Sequence, residues 1–360
     1  MVNKMLLSEL FEFLPKSKRS ASYGEDEGKY PFFTSSNQID RYTDCPDYDG
    51  EYLILGDGGS GNCKYYRGRF SASDHNYILK PNEKCNIRCV KYFLEKNNYE
   101  VLNRGFKGVG IKNVSKVYVQ NIDFKFNQSF SEQQIVENLD QIEHLIFKEK
   151  NHIDYFNVLI KSRFNELFMH HVLPKVRLID VSIAKGEYGA CSASIEYDPN
   201  RPRYVRITDI NDDGTLNVDF VSSKVLTDDN EYKLSYGDFL FARMGATVGK
   251  TYAFYSGNQI YAGYLIRYKL DLNRINPRYL YWYTKQNEYW GWVKLKQSGA
   301  AQPGINAKKY DSLEIPLASI EEQNEFASFV EQIDKLKFKA QERIKLYQEL
   351  LNKKMEEYFD

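Results

Sequence analysis

A glycine-rich run, GDGGSG at 56–61, follows the apolar stretch Tyr52-Leu-Ile-Leu55 and is a first candidate for presenting backbone amides to a phosphate. It has neither the G-x-G-x-x-G spacing nor the G-K-[ST] ending of a phosphate loop. Its later counterpart, ARMGAT at 242–247, keeps only one glycine, so the run reads as a tight turn. Cys85-x-x-x-Cys89 has no second Cys or His pair near it, and the five histidines (His75, His144, His152, His170, His171) fall mostly on or just after one expected helix. A metal site is therefore not expected. The triplet Glu231-Tyr-Lys233 is nuclease-like only if the fold sets an Asp beside it. No two prolines are adjacent, which removes the Asn/Asp-Pro-Pro-aromatic grip that amino-methyltransferases use on a flipped base. The chain is expected not to be an enzyme.

Basic residues interleaved with aromatics are the remaining candidates for chemistry. From Ser60 to Gln120 twelve Lys and Arg stand against four Asp and Glu, a net of +8, and from Phe241 to Tyr310 eleven stand against two, a net of +9. The whole chain sums to zero, so the rest carries −17. Tyr65, Tyr66, Arg67 and Arg69 mark the first stretch; Tyr279, Tyr281, Trp282, Trp290, Trp292, Lys294 and Lys296 mark the second. Such residues meet phosphates, and Arg, Lys, Gln and Asn also read base edges. For the three tryptophans the ordinary reading, core packing, is preferred.

The elements that must position these residues repeat. Residues 139–168 laid on 330–359 match at nine of thirty positions: Gln141, Ile142, Leu145, Phe147, Lys148, Ile153, Leu159, Glu166 and Phe168 fall on Gln332, Ile333, Leu336, Phe338, Lys339, Ile344, Leu350, Glu357 and Phe359. Apolar residues advance by fours and threes, as in Ile135, Leu139, Ile142, Ile146 and in Phe326, Val330, Ile333. That spacing predicts long amphipathic helices able to pair as an antiparallel coiled coil, about 60 Å long for roughly forty residues. Ser131 with Gln134 and Ser319 with Glu322 have the capping-box spacing of helix starts.

The segments before each helix echo one another more weakly. Lys29-Tyr30 with Thr34 returns as Arg203-Tyr204 with Thr208; Gly59, Lys64 and Tyr66 return as Gly245, Lys250 and Tyr252. Short β-branched and aromatic runs, Gly and Asn turns, and short helices expected around 88–97 and 277–288 make each an α+β domain. The expected division is 1–129, a helix over 130–172, 173–317, and a helix over 318–360. With 42% hydrophobic residues the chain can bury a real core. Five scattered cysteines and the lack of a signal peptide or membrane-length apolar run point to the reduced cytoplasm, with no membrane role.

The order domain, long helix, domain, long helix resembles the specificity (S) subunit of type I restriction-modification enzymes. So do YGDFLFARMGATVGK at 236–250 and GINAKKYDSLEIPLASIEEQ at 304–323, where Gly304-Ile305, Leu313, Ile315-Pro316 and Glu322-Gln323 stand in the expected places. In the first repeat Val117-Tyr-Val119 and Glu132-Gln133 remain, but no Ile-Pro does. The resemblance implies an α+β fold with two target-recognition domains separated by two long antiparallel helices in a pseudo-two-fold repeat. It implies a non-catalytic chain that reads a bipartite double-stranded DNA target and binds two methyltransferase (M) subunits and restriction (R) subunits. No cofactor is expected in this chain; S-adenosylmethionine, and ATP with Mg for restriction, belong to those partners.

On that reading Lys64, Tyr66, Arg67, Arg69, Arg104 and Lys107 are candidates for one half-site, and Arg243, Thr247, Lys250, Tyr252, Lys294, Lys296 and Gln302 for the other. Phe147, Phe168, Phe338 and Phe359, at matched helix positions, are candidates for an exposed partner-binding face. Two alternatives are a protein-interaction scaffold that never touches DNA, against which the basic stretches argue, and a self-contained DNA-acting enzyme, against which the empty motif search argues.

Overall fold

Side-chain alternation decides the first unit. In the computed structural model, which describes residues 5–110, 112–224, 230–297 and 304–360, strands Tyr48–Gly56, Cys63–Ala72 and Asn76–Pro81 form an antiparallel core with Leu53 opposite both Tyr65 and Leu79. Leu53, Leu55, Tyr77 and Leu79 face helix Ile87–Asn103, while Tyr52, Ile54, Phe70 and Ile78 pack on the other side with Phe33. Successive side chains leave a strand on opposite faces, so an apolar run such as YLIL supplies two cores at once. The sheet has six strands; Tyr30–Phe33 joins Cys63–Ala72 in parallel and carries Tyr42–Thr43 at its edge, and Phe11–Phe13 closes the other end. Helix Ile87–Asn103 is broken at Lys96–Tyr99, where Asn97, Asn98 and Tyr99 have positive φ, a conformation Asn tolerates better than Tyr.

The second unit holds two four-stranded sheets, Asp238–Ala242 central to one and Arg203–Val205 to the other. Phe239 and Phe241 point into one core, Leu240 and Ala242 into another. The helices expected around 277–288 are Pro277–Tyr283 and Asn287–Lys296. Trp282 and Trp292 pack against the core, in line with the ordinary reading, whereas Trp290 is exposed.

Both units are closed in the same way. Met5–Leu6 pairs antiparallel with Asp123–Phe124, and Lys175–Arg177 pairs antiparallel with Glu314–Pro316, each just before a long helix. Each first strand runs into one helical turn whose third residue is an acid that takes the preceding amide: Leu6 N donates to Glu9 at 2.8 Å, Arg177 N to Asp180 at 3.2 Å. Each closing strand follows a short helix, Lys116–Gln120 or Ala307–Asp311, capped by Ser115 or Asn306. Here the first repeat is less eroded than its sequence: Val119, Ile122 and Phe124 are buried like Tyr310, Leu313 and Ile315, all 191 positions on, and Lys125 merely stands where Pro316 does.

The long helices are Glu132–Phe164 and Ile320–Phe359. Their expected caps form: Gln134 N donates to Ser131 Oγ at 3.1 Å and Glu322 N to Ser319 Oγ at 3.2 Å, with both side chains returning to the cap amides. The chain divides into two compact units, Met1–Asn151 with Ala340–Asp360, and His152–Lys339, so each unit takes the start of one long helix and the end of the other. Within each unit the helices run antiparallel: Asn138 meets Tyr358 and Glu149 meets Arg343 in the first, Phe164 meets Phe326 in the second. Among the described residues no helix is long and apolar enough to cross a membrane.

The matched phenylalanines divide, which corrects the expectation of a single exposed set. Phe147 and Phe338 are each 60% exposed, but Phe168 and Phe359 are 2% and 1% exposed. Past Phe164 the first helix continues over Asn165–Met169 with π-type bonding, which adds a residue to the turn and rotates Phe168 inward against Tyr279 and Phe326. Phe359 packs edge-on to Phe93. We expect Phe168→Ala and Phe359→Ala to cost about 3–5 kcal/mol in urea unfolding, and Phe147→Ala and Phe338→Ala less than about 0.5 kcal/mol; equal costs would contradict this burial.

Candidate nucleic-acid interface

Strand period splits the first set of candidate residues. Lys64 and Tyr66 leave strand Cys63–Ala72 on one face, Arg67 and Arg69 on the other, so these four do not form one surface. Tyr66 packs edge-on against Phe33 and Phe70. Lys64 donates to Thr34 O at 3.2 Å and to Asn62 Oδ1 at 3.1 Å, and burial pushes its ammonium down to about 8. Asn62 is buried and also anchors the glycine-rich turn, accepting from Gly56 N and donating to Ser60 O. Beside it lies a polar cleft of about 660 Å³ lined by Ser22, Thr34, Ser36, Arg41, Gly59 and Asn62 among others.

Arg67 is exposed opposite Glu51, whose carboxylate takes the Tyr65 hydroxyl at 2.5 Å. Arg69 donates to Asp49 at 3.1 Å, and Arg104 pairs with Glu100 one turn earlier. Lys107 lies on a two-residue strand paired through Asn113, and Asn113 bridges Gly58. The structure therefore gathers Lys64, Lys107 and the glycine turn at one end of the sheet, and leaves Arg67 and Arg69 elsewhere.

In the second unit the loop 242–250 plays the corresponding part. Gly58 bridges Asn113 in the first unit and Met244 bridges Gly304 in the second, with Ile305 N donating to Arg243 O at 2.9 Å. Arg243 donates to Gly263 O at 3.0 Å and lies 4.9 Å from the Tyr188 ring and 5.7 Å from the Tyr264 ring. Thr247 bonds Met244 O within its own turn. Lys250 pairs with Asp212 at 2.7 Å, and Tyr252 donates to Gln259 at 3.1 Å. Lys294 is exposed, while Lys296 is half-buried and accepts from Lys309 through its carbonyl. Gln302 lies outside the described residues.

Several groups escaped the sequence reading. Tyr188 and Tyr264 flank Arg243 from different segments, and Arg203 stacks 4.1 Å over Phe220. Lys285 donates to Asp212 O at 2.6 Å and is pushed down to about 8 by burial. None has a local signal, because each pairing joins distant positions.

Among the described residues the candidate catalytic groups of the sequence are not brought together. Glu231 and Lys233 lend only backbone carbonyls, which hold the buried Arg267 beside Asp238 and Glu187. Burial pushes the Cys85 thiol up to about 12 and the Cys89 thiol higher still, the opposite of what a nucleophile or metal ligand needs. Among the described residues no group of three or more His, Cys, Asp or Glu could hold a metal.

The chain matches the family model for the type I restriction modification DNA specificity domain over residues 2–154 and 175–349. It is 21% identical over 364 residues to the type I restriction enzyme EcoDI specificity subunit of Escherichia coli, covering 91% of this chain and 80% of that one. Its fold is similar to the crystal structure of the type I restriction-modification S subunit from M. genitalium, with a TM-score of 0.61 at 15% identity over 100% of this chain and 96% of that one. It is also similar to a chain from a structure on complex assembly and conformational transition of the type I restriction-modification system, with a TM-score of 0.56 at 15% identity, covering 99% and 96%. The family match over most of the chain leads to one conclusion: this protein belongs to the specificity subunits of type I restriction-modification systems, which are non-catalytic.

Proposed function

We propose that each unit reads one half of a bipartite double-stranded DNA target, and that the two long helices dock two methyltransferase subunits, through which restriction subunits join. The observation that carries this reading is repetition with unequal divergence. The short capped helix, the closing strand and the long helix recur in order 191 positions apart, whereas the loops that end each sheet differ: Lys64 and Gly59 in one, Arg243 between two tyrosines in the other. A scaffold facing two like partners repeats, while surfaces reading two different half-sites must not. In this reading 1–129 and 173–317 are the recognition segments and 130–172 and 318–360 the spacer helices. S-adenosylmethionine, ATP and Mg are bound by the partners, and the complex works in the cytoplasm. Phe147 and Phe338, exposed at equivalent helix positions, are the remaining partner-facing pair.

Reconstitution with the cognate methyltransferase subunit tests the assembly. At saturation the expected composition is two methyltransferase chains to one specificity chain, with weak DNA binding by the isolated neutral subunit and strong binding by the complex. A saturated one-to-one complex contradicts the reading.

Readout is tested by substitution in that complex. Arg243→Ala is expected to cost about 1–3 kcal/mol and relax preference at one base pair; Lys107→Ala is expected to weaken all sequences alike and lower the salt slope by about 1. If both leave binding and modification unchanged, the wrong face has been assigned.

Lys64 adds a pH dependence. Its ammonium is depressed to about 8 in the free protein, and a phosphate beside it favours the charged form. Binding therefore takes up a proton, and affinity is expected to fall as pH rises through about 8. Lys64→Arg, which stays charged, abolishes that dependence if Lys64 meets phosphate; an identical pH profile in the variant shows that it does not.

A further inference from the structure

In the second unit the loop at 210–216 folds back over two lysines and a tyrosine. Gly214 turns it in the left-handed region, at φ +78°, so close to Tyr281 that a Cβ would meet the ring. Tyr281, on helix Pro277–Tyr283, donates its hydroxyl to Asp213 O. Lys285, just past that helix, donates to Asp212 O at 2.6 Å, and Lys250 pairs with the Asp212 carboxylate at 2.7 Å. Asp213 turns its own carboxylate the other way, accepting from Thr215 N at 2.9 Å and Thr215 Oγ1 at 2.6 Å. Two ammonium groups from separate elements thus converge on Asp212.

A carboxylate on a lysine makes the contact that a phosphate oxygen would make. This one is easily exchanged, because the Asp212 side chain is 93% exposed and that of Lys250 26%, and exposed ion pairs hold weakly. The first unit shows the same arrangement without the acid. Lys64, which the sequence echo lays on Lys250, likewise holds a carbonyl of the loop after the parallel strand: Thr34 O at 3.2 Å, where Lys250 takes Ile210 O at 3.4 Å. Its second partner is the Asn62 amide oxygen, and the cleft that Thr34 and Asn62 line stays open at about 660 Å³.

We infer that Lys250, Lys285 and Tyr281 form a binding site for one phosphate of the DNA backbone, and that Asp212 occupies it in the free chain as a charge mask. The inference rests on the DNA binding proposed above. Lys250 ends the loop that carries Arg243, its amide donating to Thr247 O at 3.0 Å, so a duplex held by that loop lies next to the masked lysines. A backbone phosphate must displace Asp212 to reach them. Passing polyanions meet the carboxylate instead, and the contact forms only for DNA that other groups already hold.

The test titrates the full chain with a random-sequence duplex over a series of salt concentrations. Asp212→Asn, which keeps the shape and removes the charge, is expected to bind roughly three- to tenfold tighter, with a salt slope steeper by about 1. Adding Lys250→Ala or Lys285→Ala is expected to cancel that gain, and Asp212→Glu to keep the parent's affinity. Asp213→Asn removes the same charge one residue away and is expected to gain less than about twofold, since its carboxylate faces Thr215. Equal gains from the two asparagine variants, or none from Asp212→Asn, overturn the inference. So does an equal gain for ATP, which assigns the site to a free nucleotide. If Asp212→Asn gains as stated while the complex with methyltransferase subunits modifies a continuous target, the mask stands and the half-site reading fails. A split target with no gain means the reverse.

Discussion

Neither unit has a complete core without both long helices. Ile135 and Leu139 from the start of one helix and Met355, Tyr358 and Phe359 from the end of the other share a core with Leu7, Phe93 and Phe124. Ile160, Phe164, Phe168, Phe326, Val330 and Ile333 do the same beside Tyr279 and Ile315. Burial of these stripes, at roughly 25 cal/mol per Å² of apolar surface, is the constraint on which the rest depends. It ties residues more than two hundred positions apart into one core, so the first unit cannot be finished until the last segment is in place.

That constraint also separates what is free to change from what is not. The closing strands, capped turns and helices are held by burial on several sides. The glycine turn at 56–61 and the loop at 242–250 are tied by hydrogen bonds, among them Gly59 N to Lys112 O, Gly61 N to Asn103 Oδ1 and Ile305 N to Arg243 O. Cations in both regions are already engaged, Lys64 by Thr34 and Asn62 and Lys250 by Asp212. A chain of zero net charge with its cations so occupied has little general attraction for a polyanion, and selectivity falls to local geometry.

The parts legible in the sequence were those set by local periodicity. The fours-and-threes stripe and the Ser131 and Ser319 caps named both long helices, and YLIL named a buried strand. Phe168 and Phe359 were misplaced because their burial depends on a π turn and on a distant ring, neither of which a helical stripe encodes. The missing Ile-Pro made the first repeat look more degenerate than it is, since burial of Val119, Ile122 and Phe124 survives a change of every side chain. Within the candidate interface, residue type found Lys64 and Arg243, but could not place Tyr188 and Tyr264 around that arginine or separate Lys64 from Arg67 and Arg69 in space.

The central claim is that one chain reads two separate half-sites. Methylation-site sequencing of the source genome, with the gene for this chain intact, deleted, or carrying residues 173–317 from a relative of different specificity, tests it most directly. The account predicts a split motif that vanishes on deletion and changes in one half alone on exchange. A continuous motif, or an exchange that alters both halves, would contradict it.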